Sequence, residues 1–143
     1  MKTLCIEAKL ERLKEVLAFL DGILEEADCP PKAQMQLEIA LEEMFVNIAH
    51  YAYEKTDVPK AEQFAEITVC VTESDGVRYA LVRLCDRGIP YNPLAKADPD
   101  TTLSATDRPI GGLGIYMVKK SMDRVEYEYR DGRNIFTMGK KLS

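Results

Sequence analysis

The stretch Leu41-Glu42-Glu43-Met44-Phe45-Val46-Asn47 lies within residues 32–53, where apolar residues recur with the period of an α-helix. The apolar stripe of this helix consists of Leu37, Ala40, Leu41, Met44, Phe45, Ile48 and Ala52. At about 100° per residue, Asn47 and Glu43 lie roughly 60° and 100° from Met44, at the same margin of the stripe. A carboxylate and an amide at a core margin are costly unless they have partners. The two residues therefore form either a hydrogen-bonded pair beside a polar loop or part of a functional site.

The periodicity of the other segments predicts an α+β fold. Helices are predicted at about 10–27, 32–53 and 112–122, and strands at about 3–8, 67–72, 77–85, 125–129 and 135–141. Asp75-Gly76 and Asp131-Gly132 are turn signals within two hairpins. Two hairpins cannot both be βαβ units, which argues against a classical Rossmann sheet. We expect a two-layer α/β sandwich, in which three helices cover one face of a mixed sheet.

Length and charge limit the class of protein further. The chain has 143 residues and a formal net charge of −5, which predicts one domain across 1–143. No apolar run approaches the roughly 18 residues of a membrane helix, and Glu7 interrupts any signal-peptide core. The negative charge argues against direct binding of nucleic acid. We expect neither a membrane nor a nucleic-acid partner.

The four cysteines, at positions 5, 29, 70 and 85, fit no zinc or disulfide spacing. Cys70 and Cys85 fall inside apolar strand-like runs, which predicts buried free thiols. Free thiols are typical of a reducing compartment, so we expect a cytoplasmic protein.

Two further motifs flank a segment without periodicity, residues 86–111. Asp86-Arg87-Gly88-Ile89-Pro90 follows a strand, where a carboxylate can accept a hydrogen bond from an exocyclic amine and Gly88 lets a flat ligand approach closely. Gly111-Gly112-Leu113-Gly114-Ile115 opens a helix, whose exposed N–H groups can bind phosphate. Taken singly, the two motifs are better explained by an ordinary strand-ending turn and a flexible loop-to-helix hinge than by a binding site.

In this order, the three motifs resemble those of the GHKL ATP-binding superfamily, which includes gyrase, histidine kinases and DNA-mismatch ATPases. The similarity is greatest to the small anti-sigma-factor serine/threonine kinases. It extends over nearly the whole chain and implies the Bergerat ATP-binding fold, with residues 94–110 as a lid over ATP.

The resemblance implies a role for each matching residue. Asn47 would be the ligand of Mg²⁺, and Glu43 the general base that deprotonates an attacking hydroxyl. Asp86 would accept a hydrogen bond from the adenine 6-amino group, which excludes guanine because guanine presents a carbonyl there. The remaining residues implied in nucleotide binding are Gly88, Pro90, Arg108, Gly111, Gly112, Leu113, Gly114 and Thr137.

The implied activity is that of an ATP-dependent protein-serine kinase. Its substrate would be a STAS-type anti-anti-sigma protein, with a sigma factor as a second partner, and the resemblance also allows a homodimer. Two departures from the pattern concern Tyr51, where these kinases often have a histidine, and Arg108, which Pro109-Ile110 separate from the glycines. The second departure favours an alternative, a nucleotide-sensing module without turnover. A structural protein with a vestigial site is a third reading.

Overall fold

The computed structural model describes residues 1–95 and 112–142, with the side chains of 112 and 113 excluded. In chain order its helices and strands are β1 (Lys2–Glu7), α1 (Leu13–Glu26), α2 (Pro31–Asn47), β2 (Phe64–Ser74), β3 (Val77–Asp86), α3 (Gly112–Ser121), β4 (Arg124–Arg130) and β5 (Arg133–Lys141). This order confirms the predicted α+β fold. Of the predicted lid, the structure describes only Leu94 and Ala95, in a short 3₁₀ turn, and the rest lies outside the described residues.

The five strands form one sheet in the order β1-β2-β3-β5-β4, and every neighbouring pair is antiparallel. The sheet is therefore purely antiparallel, and the expectation of a mixed sheet was wrong. The reason is the position of β5. The connection through α3 lets β4 run in the same direction as β3, but β5 returns between them and pairs with both in the antiparallel sense.

One face of the sheet is buried beneath the helices. Alternate residues of β2 and β3 are inaccessible there, namely Ala65, Ile67, Val69, Ala80, Val82 and Leu84. The apolar stripe predicted for α2 packs in the same core, since Leu37, Leu41 and Phe45 are completely buried. This alternation is what a sheet covered on one face requires.

Both hairpin turns use the residues that the sequence indicated. Asp75 and Gly76 have φ angles of 52° and 80°, and Asp131 and Gly132 have φ angles of 55° and 76°. Two consecutive residues with positive φ are typical of the type I′ turn, whose twist matches that of antiparallel strands.

The helix predicted for residues 32–53 changes character near its end. Regular α-helix ends at Asn47, and Ile48–Ala52 form a wider π-helical turn. Such turns often occur at functional sites. Here the turn carries Tyr51 and Ala52 to the end of β3.

The four cysteines are free thiols, as predicted. Cys70 and Cys85 are only half-buried, although the sequence suggested full burial. They alternate with the buried residues of β2 and β3, so their side chains lie on the opposite sheet face. Within residues 1–95 and 112–142, we find no helix that is both long and apolar enough to cross a membrane.

Candidate functional site

A cleft of about 410 Å³ lies between the end of α2, the π-helical turn and the ends of β3, β4 and β5. Its walls are mostly apolar, and its lining includes Met44, Asn47, Ile48, Tyr51, Ala52, Leu84, Asp86, Ile89, Tyr91, Tyr127, Asn134 and Phe136. The fold thus brings together Asn47 and Asp86, two of the residues singled out in the sequence. An apolar pocket with a few convergent polar groups is the usual form of a small-molecule site.

Asp86, the last residue of β3, is the buried carboxylate of this cleft, with only 8% of its surface exposed. Its Oδ1 accepts hydrogen bonds from the Gly88 backbone N–H at 2.8 Å and from Asn134 Nδ2 at 3.0 Å. Burial raises the pKa of Asp86, and these two hydrogen bonds oppose the rise. The fold therefore places a strong acceptor at a fixed position in an apolar wall.

Close packing against Ala52 explains why position 88 is a glycine. A Cβ at this position would lie 2.1 Å from the carbonyl oxygen of Ala52. The next residue, Ile89, donates its backbone N–H to that same oxygen at 2.9 Å. The missing side chain thus lets the loop after β3 pack directly on the π-helical turn. Pro90 is exposed and is not among the residues that line the cleft.

Asn134 on β5 is the functional candidate that the sequence analysis missed. Its register places it directly opposite Asp86, and it is 7% exposed. A signal was present in the sequence, since Asn134 alternates with the apolar Phe136 and Met138 on one face of a strand. A polar residue in such a row needs a partner.

Thr137, which the resemblance implied in nucleotide binding, lies on the other face of the sheet. It pairs with Arg83 of β3 and Glu126 of β4, whereas Asp86 pairs with Asn134. Because Asn134 and Thr137 are three residues apart on one strand, they point to opposite faces. The structure does not bring Thr137 to the cleft, and we omit it from the site proposed below.

The other end of the site contains Glu43, Asn47 and the start of α3. Glu43 and Asn47 are both half-buried and lie one helical turn apart. A Cβ on Gly114 would lie 1.8 Å from Oε1 of Glu43, so the carboxylate packs directly against this glycine. The first turn of α3 thus adjoins Glu43, although only Asn47 of the pair lines the cleft.

Several predicted residues cannot be placed. Arg108, Gly111 and the side chain of Leu113 lie outside the described part of the chain. Gly112 is described as the first residue of α3. The predicted helix opening at the glycines is thereby confirmed, while its contacts with a ligand stay a prediction.

Tyr51 lies within the π-helical turn and Tyr53 follows it directly, and the two side chains have different environments. The Tyr51 ring is 57% exposed and lines the cleft, beside His50 at a centroid distance of 5.8 Å. Tyr53 is buried, and its hydroxyl donates to the Phe64 carbonyl at 2.6 Å and accepts from the Arg87 N–H at 2.9 Å. Burial raises the pKa of Tyr53, which keeps it a neutral donor.

The chain belongs to the family described as the histidine kinase-like ATPase domain, whose profile matches residues 6–140. Comparison with the curated proteins gives no match. The solved structures that share the fold include two that match along 99% of this chain. The RsbU and RsbW domains of Rv1364c from Mycobacterium tuberculosis match with a TM-score of 0.62 at 17% identity, over 99% of this chain and 33% of that chain. The SiaB-SiaC complex from Pseudomonas aeruginosa gives a TM-score of 0.60 at 19% identity, over 99% of this chain and 90% of that chain.

These comparisons confirm the superfamily that the three motifs indicated. At such low identity the two solved structures establish the fold alone. This chain spans one third of the mycobacterial chain, so the activity of that larger protein does not transfer with the fold.

Proposed function

We propose that this protein binds ATP with Mg²⁺ and transfers the γ-phosphate to a serine of a STAS-type anti-anti-sigma protein, as an anti-sigma regulatory kinase. The observation that supports this most is the shared cleft of Asn47 and Asp86, with Glu43 one turn from Asn47 and against the start of α3. These elements match, in their order, the parts that ATP binding and phosphoryl transfer need. Such transfer depends mainly on positioning and on neutralising charge.

The Asp86 end of the cleft suits an adenine base. Its volume falls in the range of about 300–1,000 Å³ that is usual for ligand pockets, and its walls are mostly apolar. Asp86 supplies an acceptor for the 6-amino group of adenine. Guanine would place a carbonyl oxygen against the carboxylate, and the two acceptors would repel each other.

Asn47 suits the role of a magnesium ligand. Mg²⁺ prefers oxygen ligands, and in phosphate-transfer sites one or two protein oxygens hold it together with substrate phosphates. Asn47 lines the same cleft as Asp86 and is only half-buried, so its amide oxygen is a candidate ligand there. Bound Mg²⁺ would neutralise phosphate charge, which matters in a chain whose own net charge is −5.

Glu43 suits the role of a general base. Its carboxylate would accept the proton of the serine hydroxyl, while the serine oxygen bonds to the γ-phosphorus and the bond to the β-phosphate oxygen breaks. The start of α3 beside Glu43 would offer backbone N–H groups to the phosphates. The carboxylate therefore lies at the end of the site where transfer would occur.

The proposed partner also rests on the structural neighbours. One neighbour was solved as the SiaB-SiaC complex, and the other as the RsbU and RsbW domains of a single protein. Both examples agree with our proposal that this small domain acts together with a partner protein. A homodimer and a sigma factor as second partner remain part of the proposal.

Nucleotide binding is tested by calorimetric titration of the full chain with ATP, ADP and GTP in the presence of Mg²⁺. We expect ATP to bind and GTP to bind at least tenfold more weakly, and Asp86→Asn to abolish the ATP signal. Glu43→Gln is the matched control, because it removes a charge near the phosphates without touching the base. If neither the wild type nor Asp86→Asn binds ATP, the protein is not an adenine nucleotide-binding protein, and the third, structural reading is favoured. If both bind ATP equally well, Asp86 is not the residue that recognises the base.

Phosphate transfer is tested by incubating the protein with radiolabelled Mg-ATP and purified STAS proteins encoded near its gene. We expect label on a serine of one partner, and a drop of about 10²- to 10⁴-fold with Glu43→Gln, the usual contribution of a general base. No labelled partner, or an unchanged rate with Glu43→Gln, would contradict the kinase reading.

One observation favours the alternative, a nucleotide sensor without turnover. The carboxylate of Glu43 packs against Gly114, and this contact would have to open before the carboxylate could reach a substrate hydroxyl. A sensor would bind its partner with an affinity that depends on whether ATP or ADP is present. Such dependence, measured by titrating the partner in each nucleotide and without any transfer of phosphate, would favour the sensor.

A further inference from the structure

The side chain of Asn134 forms hydrogen bonds with several elements around the cleft. Its Nδ2 donates to Asp86 Oδ1 at 3.0 Å and to the Ile89 carbonyl at 2.8 Å. Its Oδ1 accepts from the Tyr91 backbone N–H at 3.0 Å and from the Tyr127 hydroxyl at 2.5 Å. One buried amide therefore connects the end of β3, the loop after it, and β4.

The two carboxylate oxygens of Asp86 differ in their hydrogen bonds. Within the described part of the chain, the Gly88 N–H and Asn134 Nδ2 both donate to Oδ1. The carboxylate cannot turn freely, since rotation would break both bonds. Oδ2 is then the oxygen left for a ligand, and its direction is set by Asn134.

We propose that Asn134 is a positioning residue that orients the Asp86 carboxylate toward the exocyclic amino group of a bound purine. This inference rests on the proposed function, because it concerns how the same site recognises its base. Asn134 acts through Asp86 and also holds the loop from Ile89 to Tyr91, two residues of which line the cleft. Recognition of the base and closure of this wall are thereby fixed by one side chain.

The inference differs from a purely structural role in what it predicts for ligands. If Asn134 only stabilised the fold, its loss would weaken all purine nucleotides equally. If it orients Asp86, its loss removes specifically the advantage of ligands that carry the amino group. The ratio of two affinities therefore separates the two roles, whatever happens to overall stability.

The experiment compares ATP with purine riboside triphosphate, which lacks only the amino group. For the wild type we expect ATP to bind about 10- to 150-fold more tightly, as a hydrogen bond to a charged acceptor implies. Asn134→Leu should reduce this preference to within about threefold, mainly through weaker ATP binding. An undiminished preference in Asn134→Leu would overturn the inference.

Thr137→Val is the matched control. Thr137 is equally buried on the same strand but faces away from the cleft. We expect this variant to keep the full preference for ATP over the analogue. If Thr137→Val loses the preference as well, the effect belongs to β5 in general and the inference is overturned.

Asn134→Asp keeps the inference testable if Asn134→Leu does not fold. The new carboxylate retains the shape of the side chain, but when ionised it repels Asp86 and can donate no hydrogen bond. A protonated carboxyl can donate, and two carboxyls so close hold a proton more tightly than one. We expect the preference for ATP to be lost at about pH 7.5 and partly regained at about pH 5.5, relative to the wild type at each pH. A preference equal to that of the wild type at both would overturn the inference.

Failure of the proposed function has a different signature. If the wild type binds neither nucleotide, or binds both equally, then adenine recognition itself is absent. If the wild type prefers ATP and Asp86→Asn abolishes the preference while Asn134→Leu and Asn134→Asp keep it, only the role of Asn134 is refuted.

Discussion

The two ends of the site are held by different kinds of contact. At the Asp86 end, a buried carboxylate is fixed by a backbone N–H and a buried amide, and the neighbouring loop packs on the Ala52 carbonyl. At the Glu43 end, two half-buried side chains on α2 adjoin the first turn of α3. One end is built from backbone and buried atoms, and the other from side chains that can change rotamer.

The difference suits the two tasks that we propose. Recognition of a base needs an acceptor whose direction does not change, and a rigid, pre-organised group binds without an ordering cost. Chemistry on the phosphates needs groups that can move as substrate, nucleotide and partner arrive. Four substitutions test whether the Asp86 end is the rigid one, in decreasing order of expected effect.

Gly88→Ala should have the largest effect. The new Cβ would lie 2.1 Å from the backbone oxygen of Ala52, and backbone cannot move aside as a side chain can. We expect the free energy of unfolding to fall by about 3 kcal/mol, at the upper end of overpacking costs. Urea denaturation measures this loss. A variant as stable as the wild type would show that the loop after β3 is not locked to the π-helical turn.

Tyr53→Phe should come second. It removes the hydroxyl that links the Phe64 carbonyl to the Arg87 N–H, and it leaves both groups without that partner. We expect a loss of about 1–3 kcal/mol in the free energy of unfolding. Tyr51→Phe is the matched control, since its ring is 57% exposed and its loss should stay within about 0.5 kcal/mol. Equal losses in the two variants would contradict the comparison.

Asp86→Asn should change the pH dependence of stability. Burial raises the pKa of Asp86 above its ordinary value of 3.8, so the folded chain holds this proton more tightly than the unfolded chain. Asp86 therefore favours folding most at low pH, and that contribution is lost as the pH rises through the raised pKa.

The asparagine variant lacks this titration. We expect its stability relative to the wild type to increase between acidic and neutral pH, although its affinity for ATP is lost. Thermal unfolding of both proteins across this range measures the difference. A difference that does not vary with pH, or that changes in the other direction, would mean that burial does not govern this carboxylate.

Gly114→Ala should have the smallest effect on stability. The new Cβ would lie 1.8 Å from Oε1 of Glu43, but that oxygen is the end of a flexible side chain. Alanine also favours a helix by about 1 kcal/mol over glycine. We expect the free energy of unfolding to change by less than about 1 kcal/mol, while phosphate transfer falls more than ATP binding. A loss as large as that of Gly88→Ala would remove the distinction between the two ends.

Much of the fold was predictable because its signals are local. The helices at Leu13–Glu26 and Pro31–Asn47 and both hairpins follow from periodicity and turn residues, which depend only on near neighbours in the chain. Which strand of the second hairpin pairs with β3 did not follow. The sheet places β5 between β3 and β4, which is a long-range arrangement.

Part of the site was also predictable, because some of its residues belong to local motifs. Glu43, Asn47 and Asp86 belong to short motifs that the sequence displays directly. Asn134 was missed, and the resemblance implied Thr137, because neither residue type nor motif says which face of β5 meets Asp86. The strand register decides that, and a shift of one residue exchanges the two faces.

The sequence by itself determined the order of helices and strands, the three motifs and, through them, the family. These properties depend on residues that are close together in the chain, so they can be predicted without the distant contacts. Only the tertiary structure decided that Asn134 meets Asp86, that Gly88 packs on Ala52, and that Glu43 lies against Gly114. Each of these contacts joins segments far apart in the chain, and their geometry is set by sheet register and helix packing rather than by local pattern.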